Sequence, residues 1–146
     1  MAFPAEAGCL CGAVRYRLAA APLASMHCHC ENCRKASGAA VLTWMTVAEA
    51  DFEWIQGRPR RYQYESEHYP GSVERWFCAD CGSQLGWHCE EDGTVDLTAG
   101  SLDDPSVIEP GFHVFTRGRV PWLHLADDLP CHETRRAGDV AEPDEA

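Results

Sequence analysis

Apolar and polar residues alternate at short range through much of the chain. Val14, Tyr16 and Leu18 interleave with Ala13, Arg15 and Arg17, the two-residue period of a strand buried on one face. Other stretches rich in β-branched or aromatic residues fall at 41–47, 61–64, 74–77, 84–88, 94–97 and 112–115, with Gly, Pro, Asn and Asp between them. Short strands separated by such turn residues predict an antiparallel all-β architecture with little helix. Helical turns are expected only at Thr46–Asp51 and at Ser101–Val107, the latter as a capped single turn beginning at Ser101. No repeat, low-complexity linker or charge block divides the chain, so residues 5–133 read as one folded domain.

Composition narrows the function classes. With 146 residues, 45% hydrophobic and 24% charged, the chain has the make-up of an ordinary globular domain. No apolar run reaches the ~18 to 20 residues needed to cross a bilayer. The opening residues lack a basic start and a long apolar stretch, which argues against a secretory leader and for a cytoplasmic location. Twelve Lys and Arg against 23 Asp and Glu give a formal charge of -11, which repels phosphate backbones and anionic lipid. Nucleic acid and membrane surfaces are therefore not expected as partners. Residues 134–146 include Asp139, Glu142, Asp144 and Glu145 with no aromatic anchor, and read as an acidic, disordered tail.

Nine cysteines are many for this length, and in a reducing compartment clustered thiols are metal ligands before they are disulfides. Three groups stand out: Cys9-Leu-Cys11, Cys28-His-Cys30-Glu-Asn-Cys33, and Cys78-Ala-Asp-Cys81-Gly82. A Cys-x-x-Cys turn wraps a tetrahedral zinc, and Gly82 supplies the positive φ such a turn often needs. On an extended strand, Cys9 and Cys11 point to one face and form half a site, which the Cys78/Cys81 turn completes. Such a four-thiolate site is closed and contributes folding energy. Cys28, Cys30 and Cys33 remain as three thiolates with no second pair. Two readings are open for them: a zinc kept accessible to substrate, or a second structural zinc completed by His27, His29, His88, Cys89 or His113. A thiolate-rich zinc is a weak Lewis acid that suits a soft sulfur ligand, so the first reading points to a thiol substrate.

The runs Gly8-Cys9-Leu10-Cys11-Gly12-Ala13-Val14-Arg15-Tyr16, Cys28 to Gly38 and Phe77-Cys78-Ala79-Asp80-Cys81-Gly82-Ser83 resemble the glutathione-dependent formaldehyde-activating enzyme family, which includes centromere protein V. The stretch from His113 through Trp122 to Asp128-Leu129-Pro130 is similar to the end of that family's pattern. The resemblance implies an Mss4-like fold of twisted antiparallel sheets and two zinc ions per chain. It places a structural zinc on Cys9, Cys11, Cys78 and Cys81, and a catalytic zinc on Cys28, Cys30 and Cys33. It also implies carbon–sulfur lyase activity, interconverting formaldehyde plus glutathione with S-hydroxymethylglutathione. It fixes the metal sites better than the substrate.

Arg34 and Lys35 are candidate partners for a substrate carboxylate, with a solvated turn or an easing of thiolate charge as the alternative. Arg58, Arg60 and Arg61 read as surface charges. His29 reads as a packing or outer-shell residue, His113 as a hydrogen-bonded structural residue outside the catalytic set, Cys89 as a small buried hydrophobe and Cys131 as incidental. Trp44, Trp54, Trp76, Trp87 and Trp122 are expected in the core, with one or two of them lining the open metal pocket. The function classes carried forward are a zinc lyase acting on a small thiol such as glutathione, a zinc-stabilised binding module without catalysis, and a redox or metal-buffering protein. The sequence leaves the oligomeric state open.

Overall fold

Strand parity decides which face each residue takes, and here it separates a packed core from an open cavity. The computed structural model describes residues 2–66, 69, 71–89 and 93–136. Its strands are β1 (Ala5–Gly8), β2 (Arg15–Leu18), β3 (Ala24–Cys28), β4 (Leu42–Ala48), β5 (Phe52–Gln56), β6 (Arg60–Glu65), β7 (Ser72–Phe77), β8 (Gln84–Cys89), β9 (Thr94–Thr98) and β10 (Phe112–Val114). They build a three-stranded sheet in the order β1-β2-β5 and a seven-stranded sheet in the order β10-β3-β4-β9-β8-β7-β6. The ladders are antiparallel, except that β10 runs parallel to β3, pairing Phe112 with Met26, His113 with His27 and Val114 with Cys28. No hairpin constrains that pair, because the chain reaches β10 from β9 by a crossover through residues 99–111.

The main core lies between the small sheet and one face of the large one. Ala7, Tyr16 and Leu18 from the small sheet meet Met45, Val47, Trp76, Leu85, Val95 and Leu97 from the large sheet, with Phe52 and Trp54 packed against them. Tyr16 sits edge-on to Trp54 at 5.9 Å between ring centroids, and its hydroxyl is satisfied by Ser101 Oγ at 2.6 Å. On the opposite face Cys28, Cys33, Trp44, Phe112 and Val114 form a smaller cluster. Adjacent residues of β4 thus serve different layers, Met45 and Val47 the core and Trp44 the cavity side.

Several elements differ from the sequence expectation. β1, β3 and β5 are strands that the pattern did not mark, being four or five residues long. The expected turn at Thr46–Asp51 is β4 running on to Ala48, followed by a short 3₁₀ turn at Glu49–Asp51. The Ser101–Val107 turn is split into 3₁₀ turns at Ala99–Ser101 and Pro105–Val107, and the cap of the second is Asp104, whose carboxylate accepts from Ser106 N at 3.0 Å. A short helix, α1 (Glu31–Ser37), also went unmarked, since seven residues carry no readable apolar stripe. Gly38, at φ +73°, closes it by donating its N–H to Arg34 O.

Of the five tryptophans, Trp76 and Trp54 belong to the core, Trp44 and Trp87 line the cavity, and Trp122 is 70% exposed rather than buried. The expected tail begins within the described residues, where Thr134 O accepts from Phe115 N at 2.9 Å. Residues 137–146 lie outside them. Among the described residues, no helix is long and apolar enough to cross a membrane.

Gly86 marks how tightly the core face is filled. A Cβ there would stand 2.7 Å from Trp76 Cε3 and 3.0 Å from the Asp96 carbonyl oxygen, and neither neighbour is a flexible chain end. Gly86→Ala is expected to destabilise the fold by about 1–3 kcal/mol through overpacking, read as a lower denaturation midpoint with unchanged slope.

Candidate functional site

The first cysteine cluster joins two turns that are distant in sequence. Cys9 and Cys11 do not lie on an extended strand as the spacing suggested: the chain turns directly after β1. Gly12, at φ +82°, donates its N–H to Cys9 O at 3.2 Å, and Val14 N donates to Cys9 Sγ at 3.3 Å. The second turn is built in the same way, with Gly82 N donating to Cys78 O at 2.8 Å and Gly82 at φ +77°, the conformation expected for it. Ser83 ties the turns together: its hydroxyl accepts from Leu10 N at 3.0 Å and contacts Cys81 Sγ at 3.1 Å. That hydroxyl first, then backbone N–H groups, pulls the Cys81 thiol down to about 5.

The four sulfurs lie within 4.8 Å of one another, with Cys9–Cys11 at 3.7 Å and Cys11–Cys78 at 3.8 Å. A tetrahedron with metal–sulfur bonds of ~2.3 Å has edges of roughly 3.8 Å, so this donor set fits a four-coordinate metal ion without rearrangement.

The second cluster is local. Cys28 ends β3, Cys30 is the N-cap of α1 and Cys33 lies in its first turn, and their sulfurs also fall within 4.8 Å of one another. Cys30 takes the capping role usually given to Ser or Asp, its Sγ accepting from Cys33 N at 3.2 Å. Two further donors aim at Cys33: Trp44 Nε1–H at 3.4 Å and Arg75 Nη2 at 3.8 Å. Hydrogen bonds from Cys28 and Cys30, helped by the Arg75 charge and the Trp44 N–H, hold Cys33 well below the ordinary thiol range despite its burial.

None of the five candidate fourth ligands joins this cluster. His88 Nε2 meets Glu49 Oε1 at 2.8 Å, and Cys89 is buried at the end of β8. His27 and His113 group instead with Asp127, on the face of β3 and β10 turned away from the thiols. His27 Nδ1 meets Thr43 Oγ1, His29 Nε2 meets His113 Nδ1 and His113 Nε2 meets Asp127 Oδ2, each at 2.8 Å. The chain that His29 and His113 form pins the loop between Cys28 and Cys30 to the segment around Asp127. Burial first, then the neighbouring His113, pushes His29 down to about 4. Among the described residues no fourth ligand atom joins Cys28, Cys30 and Cys33.

All three of these cysteines line a cavity of about 410 Å³. Its walls are largely aromatic and apolar, with Met26, Trp44, Trp87 and Phe112, and it also receives Arg75, Arg135 and Arg136. Arg34 and Lys35 are not among its lining residues: Lys35 is exposed and pairs with Glu31 at 3.8 Å along α1. The cavity cations come from β7 and from the chain beyond Cys131. No local motif marked Arg75. A usable signal was its place as the one basic residue in the otherwise buried run Val73–Trp76, beside Glu74. Cys131 is exposed on an isolated bridge to His113.

A two-sheet β protein bearing a remote four-thiol cluster and a local three-thiol cluster beside a cavity defines a narrow class. Residues 4–118 match the glutathione-dependent formaldehyde-activating enzyme family, and the chain belongs to it. Its all-β, Mss4-like architecture is the one that the sequence resemblance implied. The crystal structure of a Rhodobacter sphaeroides protein, a structural genomics target, shares the fold at 21% identity and a TM-score of 0.54, over 72% of this chain and 91% of that one. No curated protein matches the chain.

One cluster joins turns far apart in sequence and the other is local, so substitution of their thiols is expected to have different consequences. Cys81→Ser is expected to cost one metal equivalent and to destabilise the fold severely, because metal binding on the order of 10 kcal/mol then no longer ties the two turns. Cys30→Ser should also lose one equivalent yet keep its melting temperature within about 5 °C of the parent, since all three thiols of this cluster come from residues 28–33 and a metal on them would join no distant segments. Metal analysis with thermal unfolding checks both. Trp44→Phe, which removes the N–H aimed at Cys33 together with part of the ring packed beside it, should weaken metal binding at the second cluster ~10 to 100-fold and leave the first unchanged.

Proposed function

We propose that this protein is a zinc-dependent carbon–sulfur lyase acting on a thiol adduct at Cys28, Cys30 and Cys33. The family-type reaction is glutathione plus formaldehyde giving S-hydroxymethylglutathione. The observation that carries this reading is the contrast between the clusters: the three-thiol group opens on the 410 Å³ cavity, whereas no cysteine of the four-thiol group lines it.

In the forward direction the substrate sulfur forms a bond to the carbonyl carbon, the C=O π pair moves to oxygen, and that oxygen takes up a proton. The lyase direction reverses each change. A zinc ion held by Cys28, Cys30 and Cys33 supplies an acceptor for soft sulfur and lets a thiol ionise at neutral pH. The chain provides the rest. Cys28 and Cys30, then Arg75 and Trp44, favour the thiolate form of Cys33. The cavity leaves room for the organic part of the adduct, against the apolar faces of Met26, Trp44, Trp87 and Phe112. Zinc at the four-thiol cluster plays a structural part. The thiols favour a reducing, cytoplasmic setting, with all nine cysteines free of disulfides.

The test is binding of small thiols to the zinc-loaded protein by calorimetry in buffers of differing ionisation enthalpy, with cobalt-substituted protein followed by absorption. Glutathione is the first thiol to try. Binding should release a proton, gain affinity with rising pH until the free thiol ionises near pH ~8.5, and vanish when a hydroxyl replaces the thiol. A thiol panel that never alters the cobalt spectrum would sink the proposal, as would the absence of any formaldehyde adduct turnover.

A further inference from the structure

Arg75 sits in the middle of β7 on the cavity face, opposite in parity to Glu74 and Trp76, and is 7% exposed. Two of its guanidinium nitrogens are engaged. Nε donates to the Tyr64 hydroxyl at 3.1 Å and Nη2 points to Cys33 Sγ at 3.8 Å. The third nitrogen, Nη1, is buried with no hydrogen-bond partner. A charged donor withdrawn from water and left unpaired is costly, and native proteins keep such groups where a ligand completes them.

The surroundings favour an anion. Arg135 lies over the Tyr69 ring at 4.7 Å and Arg136 over the Phe112 ring at 4.2 Å, so both add positive charge to the cavity wall in a chain of net charge -11. Asp96 is the single carboxylate among the described lining residues, and it accepts from Thr46 Oγ1 at 2.7 Å. Position then limits the ligand. Nη1 belongs to the same planar fork as Nη2, so an anion on it lies within a few bond lengths of the thiolate cluster. Trp44, Trp87 and Phe112 give the cavity apolar wall beside the thiols, with Asn32, Thr46 and Tyr64 among its polar lining.

We infer that Arg75 is a carboxylate subsite and that this site takes short mercapto acids, with one or two carbons between sulfur and carboxylate, as the thiol half of its adduct. The inference rests on the reading that a thiol sulfur binds at Cys28, Cys30 and Cys33, and it narrows the substrate class. Glutathione, whose carboxylates stand beyond peptide bonds from its sulfur, fits Arg75 less well than a compact acid does. One guanidinium N–H matches one carboxylate oxygen, and Nη2 remains with Cys33.

The experiment compares 3-mercaptopropionate, 3-mercapto-1-propanol and glutathione on the zinc-loaded full-length protein by calorimetry, and on the cobalt-substituted protein by absorption. The acid should bind at least tenfold more tightly than the alcohol of equal length and more tightly than glutathione. Arg75→Gln should bring the acid-to-alcohol affinity ratio close to one, whatever it does to both ligands through Cys33, and Arg75→Lys should restore part of that ratio. Equal affinity for acid and alcohol overturns the carboxylate subsite while sulfur binding stands. Tighter binding of glutathione than of 3-mercaptopropionate overturns the short-acid assignment. If no thiol perturbs the cobalt spectrum, the sulfur-binding reading itself has failed. Should Arg75→Gln not fold, the ligand series on the unsubstituted protein decides the matter alone.

Discussion

Everything at the candidate site depends on one geometric constraint, the two-residue alternation of the seven-stranded sheet. Along β4 and β9 it sends Met45, Val47, Val95 and Leu97 into the core shared with the small sheet, and Trp44, Thr46, Thr94 and Asp96 to the cavity. A one-residue slip of any of these strands would exchange the two sets, burying Asp96 and opening Leu97 to water, so packing of the core fixes the register of the cavity. Arg75 is held by the same rule. Its neighbours Glu74 and Trp76 lie on the other face, where Trp76 Nε1 donates to Glu74 Oε1 at 2.8 Å, and that leaves Arg75 on the thiol side.

The two thiol clusters solve different problems with one chemistry. The cluster of Cys9, Cys11, Cys78 and Cys81 crosses 67 residues of sequence between Cys11 and Cys78, and its backbone donors come from two tight turns. The other cluster is prepared by secondary structure: β3 delivers Cys28, and the start of α1 supplies Cys30 and Cys33. The histidine chain from His29 to Asp127 braces that loop from behind, while Trp44 and Arg75 address Cys33 from the front. A charge of -11 on the whole chain and three arginines on one cavity show how far local placement departs from the average field.

The cysteine groups were readable because metal-binding turns are local objects. The spacings of Cys28, Cys30 and Cys33 and of Cys78 and Cys81 each restrict a few φ/ψ pairs, and Gly82 names its own conformation. Reading failed where the same spacing suits two conformations. Cys-x-Cys is compatible with a strand or a tight turn, and hydrogen bonding from Gly12 and Val14 chose the turn. Sequence proximity pointed to cations other than those that line the cavity. Lys35 follows the thiols in the chain, but α1 turns it outward to pair with Glu31. Arg75, 42 residues from Cys33, reaches the sulfur through strand pairing.

The chain by itself determined an all-β architecture and which cysteines gather into two thiol clusters able to hold a metal, because strand alternation and the spacing of cysteine turns are written in a few consecutive residues. Only the tertiary structure decided that β10 runs parallel to β3, that the histidines gather behind the thiols rather than on them, and that Arg75, Arg135 and Arg136 converge on the cavity. Those outcomes join segments far apart in sequence. They follow from which strands share an edge and which face each presents, and these are settled only when the whole core packs.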